Sequence, residues 1–370
     1  MPLYELKISP CGRDDKQSVR HYTSFHINSG FRKQQQSLRV RCCFLIFIRC
    51  WMFDVGRSSL QKRFIGVGRN IPPMKAMILA AGFGTRLRPL SNKRPKPLMP
   101  VANRPVILRN MEYLRGHGVE EIIVNVHHHA GQVLDFLASH PLPGVKVDVR
   151  VEAKILGTGG GIRNTADFWG SDPFIVLNGD ILTDLDVTSA FEQHLEKRPA
   201  ATLVLHDQPP YNKIKVRGDR ITDIPREYGS DGLAFTGIHI MEPEILSHIP
   251  DGFSDIVDCY RKLITAGEMI GSFVSRGHSW RDIGNLPEYV RANKELANTP
   301  FIMGKGSELD PSARWIDWAV IGENCRIAES CEIARSVLWD EVRVRAGVKV
   351  TDCVITGGAV VERDCSGAVI

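Results

Sequence analysis

Between residues 321 and 361, aliphatic side chains return every six positions: Ile321, Ile327 and Ile333, then Leu338, Val344 and Val350, then Ile355 and Val361. Each group of three closes one triangular turn of a left-handed parallel β-helix, a repeat whose faces are buried only when successive turns stack. The tail from residue 298 onward is therefore a short coil with its own core. It has no histidine, because the last one in the chain is His278.

The rest of the chain follows a different rule. Met77-Ile78-Leu79-Ala80 is an unbroken apolar run, the mark of a strand buried on both faces of a parallel sheet, and it empties into Ala81-Gly82-Phe83-Gly84-Thr85-Arg86. Open α/β sheets bind ligands at the carboxyl ends of their strands, where this loop falls. Gly82 and Gly84 permit positive φ and close backbone approach, so successive N–H groups can form an anion-binding nest to which Thr85 and Arg86 add a hydroxyl and a cation. The loop lacks the Gly-Lys-Ser/Thr ending of a P-loop and the third glycine of a dinucleotide fingerprint. Alone, it would read equally as a solvated βα turn.

Further strands follow at Glu121–Val126, Val145–Val151, Pro173–Asn178 and Ala201–His206, with a helical pattern over Val106–His117. Alternation of strand and helix argues for an α/β, Rossmann-like, mainly parallel sheet. A second glycine-rich turn, Leu156-Gly157-Thr158-Gly159-Gly160-Gly161, precedes a helix and is open to a plainer account, glycines needed for packing at a helix start. Asn178-Gly179-Asp180 sits at a strand end, where an aspartate suits Mg²⁺, although an isolated Gly-Asp is more often a turn. His127-His128-His129 does not make a metal site, because neighbours on an extended chain point to opposite faces.

Lys96, within Pro95-Lys96-Pro97-Leu98-Met99-Pro100, stands ten residues after Arg86. The Gly-x-Gly-Thr-Arg loop with this lysine segment resembles the signature of the sugar-1-phosphate nucleotidyltransferases, the nucleoside-diphosphate-sugar pyrophosphorylases, and the tail resembles the coils on members of the mannose-1-phosphate guanylyltransferase type. The resemblance implies an enzyme that joins a nucleoside triphosphate and a sugar 1-phosphate and releases pyrophosphate. It implies Arg86 and Lys96 as catalytic cations, and Ala80, Ala81, Gly82, Gly84, Thr85, Glu152, Gly157, Thr158, Gly159 and Gly160 around the nucleotide. It also implies Asn178, Thr236 and Gly237 on the sugar, and Asp180 with Asp282 of Trp280-Arg281-Asp282-Ile283-Gly284 as ligands of the Mg²⁺ cofactor.

The chain departs from the family at the sugar. Where most relatives carry Glu-Lys-Pro it has Ile224-Pro225-Arg226-Glu227, which leaves Arg226 or Lys213 to serve the sugar phosphate. This short form resembles the subfamily acting on N-acetylmuramate 1-phosphate, so a uridylyltransferase of amino-sugar phosphates stands as the alternative to guanylyl transfer. A non-catalytic nucleotide-sugar sensor is a third reading, opposed by the presence of all four charged side chains. Acyl transfer on the coil is opposed by its missing histidine, leaving the coil as an assembly module for a homo-oligomer.

Charge divides the chain. Residues 1–73 hold thirteen Lys/Arg against four Asp/Glu, and the remainder thirty-four against thirty-eight, so the net +5 gives no reason to expect nucleic acid as a partner. The expected boundaries are a leader over 1–73, a transferase domain over 74–297 and the coil over 298–370. The leader is expected to be a disordered extension or upstream translation ahead of a natural start at Met74, with a basic arm that tethers the enzyme to a membrane or acidic partner as the alternative. Its apolar run, Cys42–Ile48 and Cys50–Phe53 split by Arg49, is well short of the about 20 residues that span a bilayer. Nine cysteines without a Cys-x-x-Cys pair indicate reduced thiols and a cytoplasmic protein.

Overall fold

The computed structural model describes residues 72–227, 231–297 and 299–370. The expectations for the leader, and the exact junction at Asn298, fall outside those residues. Among the described residues, no helix is long and apolar enough to cross a membrane.

A nine-stranded sheet organises the first region. In chain order its elements are β1 (Met74–Leu79), α1 (Val106–Gly116), β2 (Val119–Val126), α2 (Ala130–Ser139), β3 (Lys146–Val151), α3 (Gly157–Arg163) and β4 (Phe174–Asn178). There follow β5 (Ile181–Thr183), α4 (Val187–Lys197), β6 (Ala201–His206), β7 (Lys215–Arg217), β8 (Arg220–Asp223), β9 (Ala234–Met241), α5 (Ile256–Thr265), β10 (Ile270–Ser275), β11 (Trp280–Asp282) and α6 (Leu286–Leu296). The sheet order is β3-β2-β1-β4-β9-β6-β10-β8-β7.

The pairings β3-β2, β2-β1, β1-β4 and β6-β10 are parallel, whereas β9 runs antiparallel to both β4 and β6. The sheet is thus mixed, with its parallel half where the alternation of strand and helix predicted it. Ala76, Met77 and Ile78 of β1 are fully buried, as a central strand with helices on both faces requires. β5 and β11 lie off the sheet as a two-stranded antiparallel ribbon.

From Phe301 to Ser366 the chain winds as parallel coils. Ile321 pairs with Leu338, Ile327 with Val344, Ile333 with Val350, Leu338 with Ile355 and Val344 with Val361. All eight repeat residues are buried in one core. This is the short left-handed parallel β-helix that the six-residue interval called for.

The coil also has an outer wall. Trp318, Val320, Val337, Trp339 and Val354 share a second core with Leu87, Leu90, Met99, Val101, Ile283 and Tyr289. The Trp339 indole donates to the Tyr289 hydroxyl at 2.9 Å, and that hydroxyl donates to the Pro100 carbonyl at 2.6 Å. Lys93 Nζ reaches Thr356 Oγ1 at 2.7 Å, and the Arg94 guanidinium lies 4.9 Å from the Trp339 ring centre. The coil therefore buttresses the segment between Arg86 and Val101.

Candidate active site

β1 ends at Leu79, and the next residues form one wall of a cleft of about 450 Å³. Its lining includes Ala80, Ala81, Gly82, Gly84, Thr85, Arg86 and Lys96 from the first loop, Gly157 and Thr158 from the second turn, and Asn178 and Asp180 from the end of β4. Gly84 is left-handed at φ 63°. Gly82 is not, and a side chain there would meet nothing within 4 Å, so the positive φ expected at both glycines is needed at one.

Gly179 answers to packing. Its N–H donates to the Leu79 carbonyl at 2.9 Å, and a Cβ would sit 2.6 Å from that same oxygen. Only glycine lets the ends of β1 and β4 come this close, and the contact carries Asp180 to the glycine loop.

Asp180 and Asp282, far apart in sequence, meet because of the ribbon. Asp282 pairs with Ile181 across β5 and β11, and Ile283 N donates to the Asp180 carbonyl at 3.0 Å. Lys96 Nζ forms a hydrogen-bonded ion pair with Asp180 and lies 4.0 Å from Asp282 Oδ1. Arg86 completes the group: a Cβ on Gly284 would fall 2.7 Å from both an Arg86 terminal nitrogen and Asp282 Oδ1. Gly284 was not singled out from sequence, although it ends the Trp-x-Asp-x-Gly motif.

Burial, and then the like charge of Asp180, raise the Asp282 carboxyl above the usual range, against Lys96 and Arg86, which lower it. Its Oδ1 is buried with no hydrogen-bond partner. Two adjacent carboxylates, one with a buried oxygen that makes no hydrogen bond, fit the donor set of a hard divalent cation that also takes ligands from a bound phosphate.

A second cavity, of about 300 Å³, shares Arg86, Asn178 and Asp180 with the first. Asp282, Tyr211, Lys213, Phe235, Thr236, Gly237 and Trp280 also line it. Gly237 has φ 80°, and a Cβ there would lie 2.5 Å from Asn178 Nδ2, so glycine gives Asn178 its room. The Thr236 hydroxyl is buried and donates to the Val204 carbonyl at 2.8 Å. Of the two candidate cations near the sugar, Lys213 lines this cavity and Arg226 does not, since Arg226 is turned outward and paired with Asp258 at 3.4 Å.

Three of the nucleotide-side candidates do not line the first cleft. Glu152 is 3% exposed, and its carboxylate accepts from Asn125 Nδ2 at 2.7 Å and from Leu156 N at 3.0 Å. Asn125 Oδ1 in turn accepts from Ala80 N at 2.8 Å. Glu152 thus ties the second glycine turn to the first loop from behind, and Asn125 is the residue at the surface of the cleft. Gly159 and Gly160 pack against residues 252–256: Gly159 N donates to Ser254 O at 2.9 Å, and a Cβ there would lie 2.7 Å from Ser254 Oγ. Phe253, Ser254 and Asp255 thereby join the cleft lining, and no sequence motif marked them.

The three adjacent histidines each find a separate carbonyl. His127 Nδ1 lies 2.8 Å from Glu152 O, His128 Nε2 3.0 Å from Ser91 O and His129 Nε2 3.2 Å from Asn92 O.

Fold and cleft together define an α/β protein with its ligand crevice at the carboxyl ends of the central strands, carrying a parallel β-helix. Residues 75–299 match the family model described as nucleotidyl transferase, and residues 304–367 match the GlmU-like C-terminal hexapeptide model. The chain belongs to the nucleotidyl transferase family. It is 30% identical to the UTP–glucose-1-phosphate uridylyltransferase of Synechocystis sp., over 80% of this chain and 90% of that protein. It is 32% identical to the mannose-1-phosphate guanyltransferase of Aspergillus oryzae, over 68% and 74% of the two chains. The N-acetylmuramate alpha-1-phosphate uridylyltransferase of Neisseria meningitidis is 37% identical over 58% of this chain and 94% of its own length.

Proposed function

We propose that this enzyme joins a nucleoside triphosphate to a sugar 1-phosphate, giving a nucleotide-sugar and pyrophosphate. The observation that carries the proposal is the convergence of Arg86, Lys96, Asp180 and Asp282 where the two cavities meet. A phosphate oxygen of the sugar 1-phosphate attacks the α-phosphorus, the new P–O bond forms, and the bond to the β-phosphate bridging oxygen breaks in line. Such a transfer depends on alignment and on neutralising charge rather than on a protein acid or base.

In this assignment the triphosphate lies along Ala80–Thr85, the base side of the cleft is the turn at Gly157 and Thr158, and the sugar occupies the cavity of Asn178, Thr236 and Gly237. Arg86 and Lys96 bind the phosphates and offset the charge that develops on them. Asp180 and Asp282 would hold Mg²⁺, which supplies further neutralisation of the clustered phosphates.

Guanylyl transfer to mannose 1-phosphate is the first specific reading, chosen for the added coil and the guanyltransferase relative, although the Synechocystis uridylyltransferase matches over more of this chain. Uridylyl transfer to an amino-sugar phosphate is the second, favoured by the identity to the Neisseria protein and by the short 224–227 segment. We place the enzyme in the cytoplasm, with the coil as the contact of a homo-oligomer. Pyrophosphate release from a panel of GTP, UTP, ATP and dTTP against mannose, glucose and N-acetylmuramate 1-phosphates tests the proposal. One productive pair is expected, and no release from any pair would overturn it.

A further inference from the structure

The wall of the second cavity that faces Trp280 is the segment Tyr211–Ile214, and the structure holds it firmly. Asn212 is buried, with Nδ2 on Asp207 at 2.7 Å and Oδ1 accepting from Gln208 N at 2.9 Å. Ile214 and Leu233 exchange two backbone bonds of 2.9 Å, and Lys213 N donates to Leu233 O at 3.2 Å. Tyr211 meets the Trp280 ring edge-on at 5.9 Å. A segment pinned on both sides brings Tyr211, Lys213 and Ile214 to the cavity.

The 224–226 segment, where the family carries its lysine, is tied to α5. The Arg261 guanidinium donates to the carbonyls of Ile224 at 2.7 Å and Pro225 at 3.3 Å, and to Asp258 at 2.7 Å. Arg226 pairs with the same Asp258. Ile224 still lines the cavity, but Asp258 of α5 holds the segment's one cation, Arg226, outside it. Of the residues lining the cavity, Arg86 and Lys213 are the cations.

We propose that Lys213 holds the phosphate of the sugar 1-phosphate in this enzyme, opposite Arg86, so that the cation on the sugar side comes from the loop before β7 rather than from the strand exit before β9. The inference rests on the transferase reading above. Burial and the neighbouring Arg261 lower the Lys213 pKa, and Asp255 raises it in part.

The test is steady-state kinetics of the full chain with the productive pair from the panel. Replacing Lys213 by Met keeps the aliphatic stem and should raise KM for the sugar 1-phosphate about 10- to 100-fold, the worth of one hydrogen bond to a charged group, with KM for the triphosphate within about twofold. Lys213→Arg should restore most of the affinity, and Arg226→Ala should leave both constants unchanged. An unchanged sugar-phosphate KM in Lys213→Met, an equal rise in both constants, or a selective rise in Arg226→Ala overturns the assignment of Lys213 while leaving the transferase reading in place. A wild-type enzyme inactive with every pair overturns both.

Discussion

The coil and the cleft reach their order by opposite routes. In the coil, residues six apart take equivalent places, and each turn packs on the next through the same kind of contact, Ile327 on Val344 on Val361. In the cleft no spacing repeats: Arg86, Lys96, Asp180 and Asp282 come from three separate stretches and are brought together by a glycine contact, a strand end and a ribbon. A repeat is legible because local pattern and global packing are the same thing. A site is not, because its members are neighbours only after the sheet has closed.

The two regions are also joined. Leu338 faces the coil's interior, while Trp339 next to it faces the transferase core and bonds Tyr289. Replacing Trp339 by Ala should cost about 3–5 kcal/mol of stability and also lower the turnover of molecules that remain folded, because the Tyr289–Pro100 brace stands at the end of the Lys96 segment. Leu338→Ala should cost about 2–5 kcal/mol in a urea titration yet leave turnover of the folded fraction unchanged. If both variants lose activity alike, the distinction between the inner and outer faces of the coil is wrong.

Asp282→Asn and Lys96→Ala address the other side of the comparison. Each should lower kcat about 10²–10³-fold with little change in the thermal midpoint, the reverse of the Leu338 variant. Wild-type rates in either would remove that residue from the reaction.

Acid should separate the regions more gently. His239 is wholly buried and depressed to about 3 by desolvation, and His194 is depressed to about 4 by burial and then by Arg198. Folded values below the unfolded value of about 6.5 mean that stability is full above that pH and falls as the pH drops toward the folded values. The expected loss between pH 6.5 and 5 is roughly 2 kcal/mol per histidine, with Glu242, 3.5 Å from His194, offsetting part of it. No histidine follows His278, so hydrogen exchange at pH 7 and 5, corrected for intrinsic rates, should show the sheet loosening while the coil stays protected. The smallest effect is expected at Asp352→Asn, which removes the charge from the exposed two-bond pair with Arg335 while tolerating the left-handed backbone at φ 54°, and should cost under about 1 kcal/mol.

Taken alone, the amino-acid order determined the coil and the buried strand β1 with its phosphate-type loop, because a six-residue period, an apolar run and paired glycines act over short distances; the four charged side chains as a set follow only from resemblance to the nucleotidyltransferase signature. It did not reveal that Glu152 works from behind the wall through Asn125, that Gly159 and Gly160 serve the 252–256 loop, or that Gly284 clears the place of Arg86. Nor did it choose between Lys213 and Arg226, a choice made by Arg261 capturing the 224–225 carbonyls. Those outcomes belong to the tertiary structure, because each depends on which distant backbone comes within about 3 Å of a side chain, and a linear pattern carries no record of that approach.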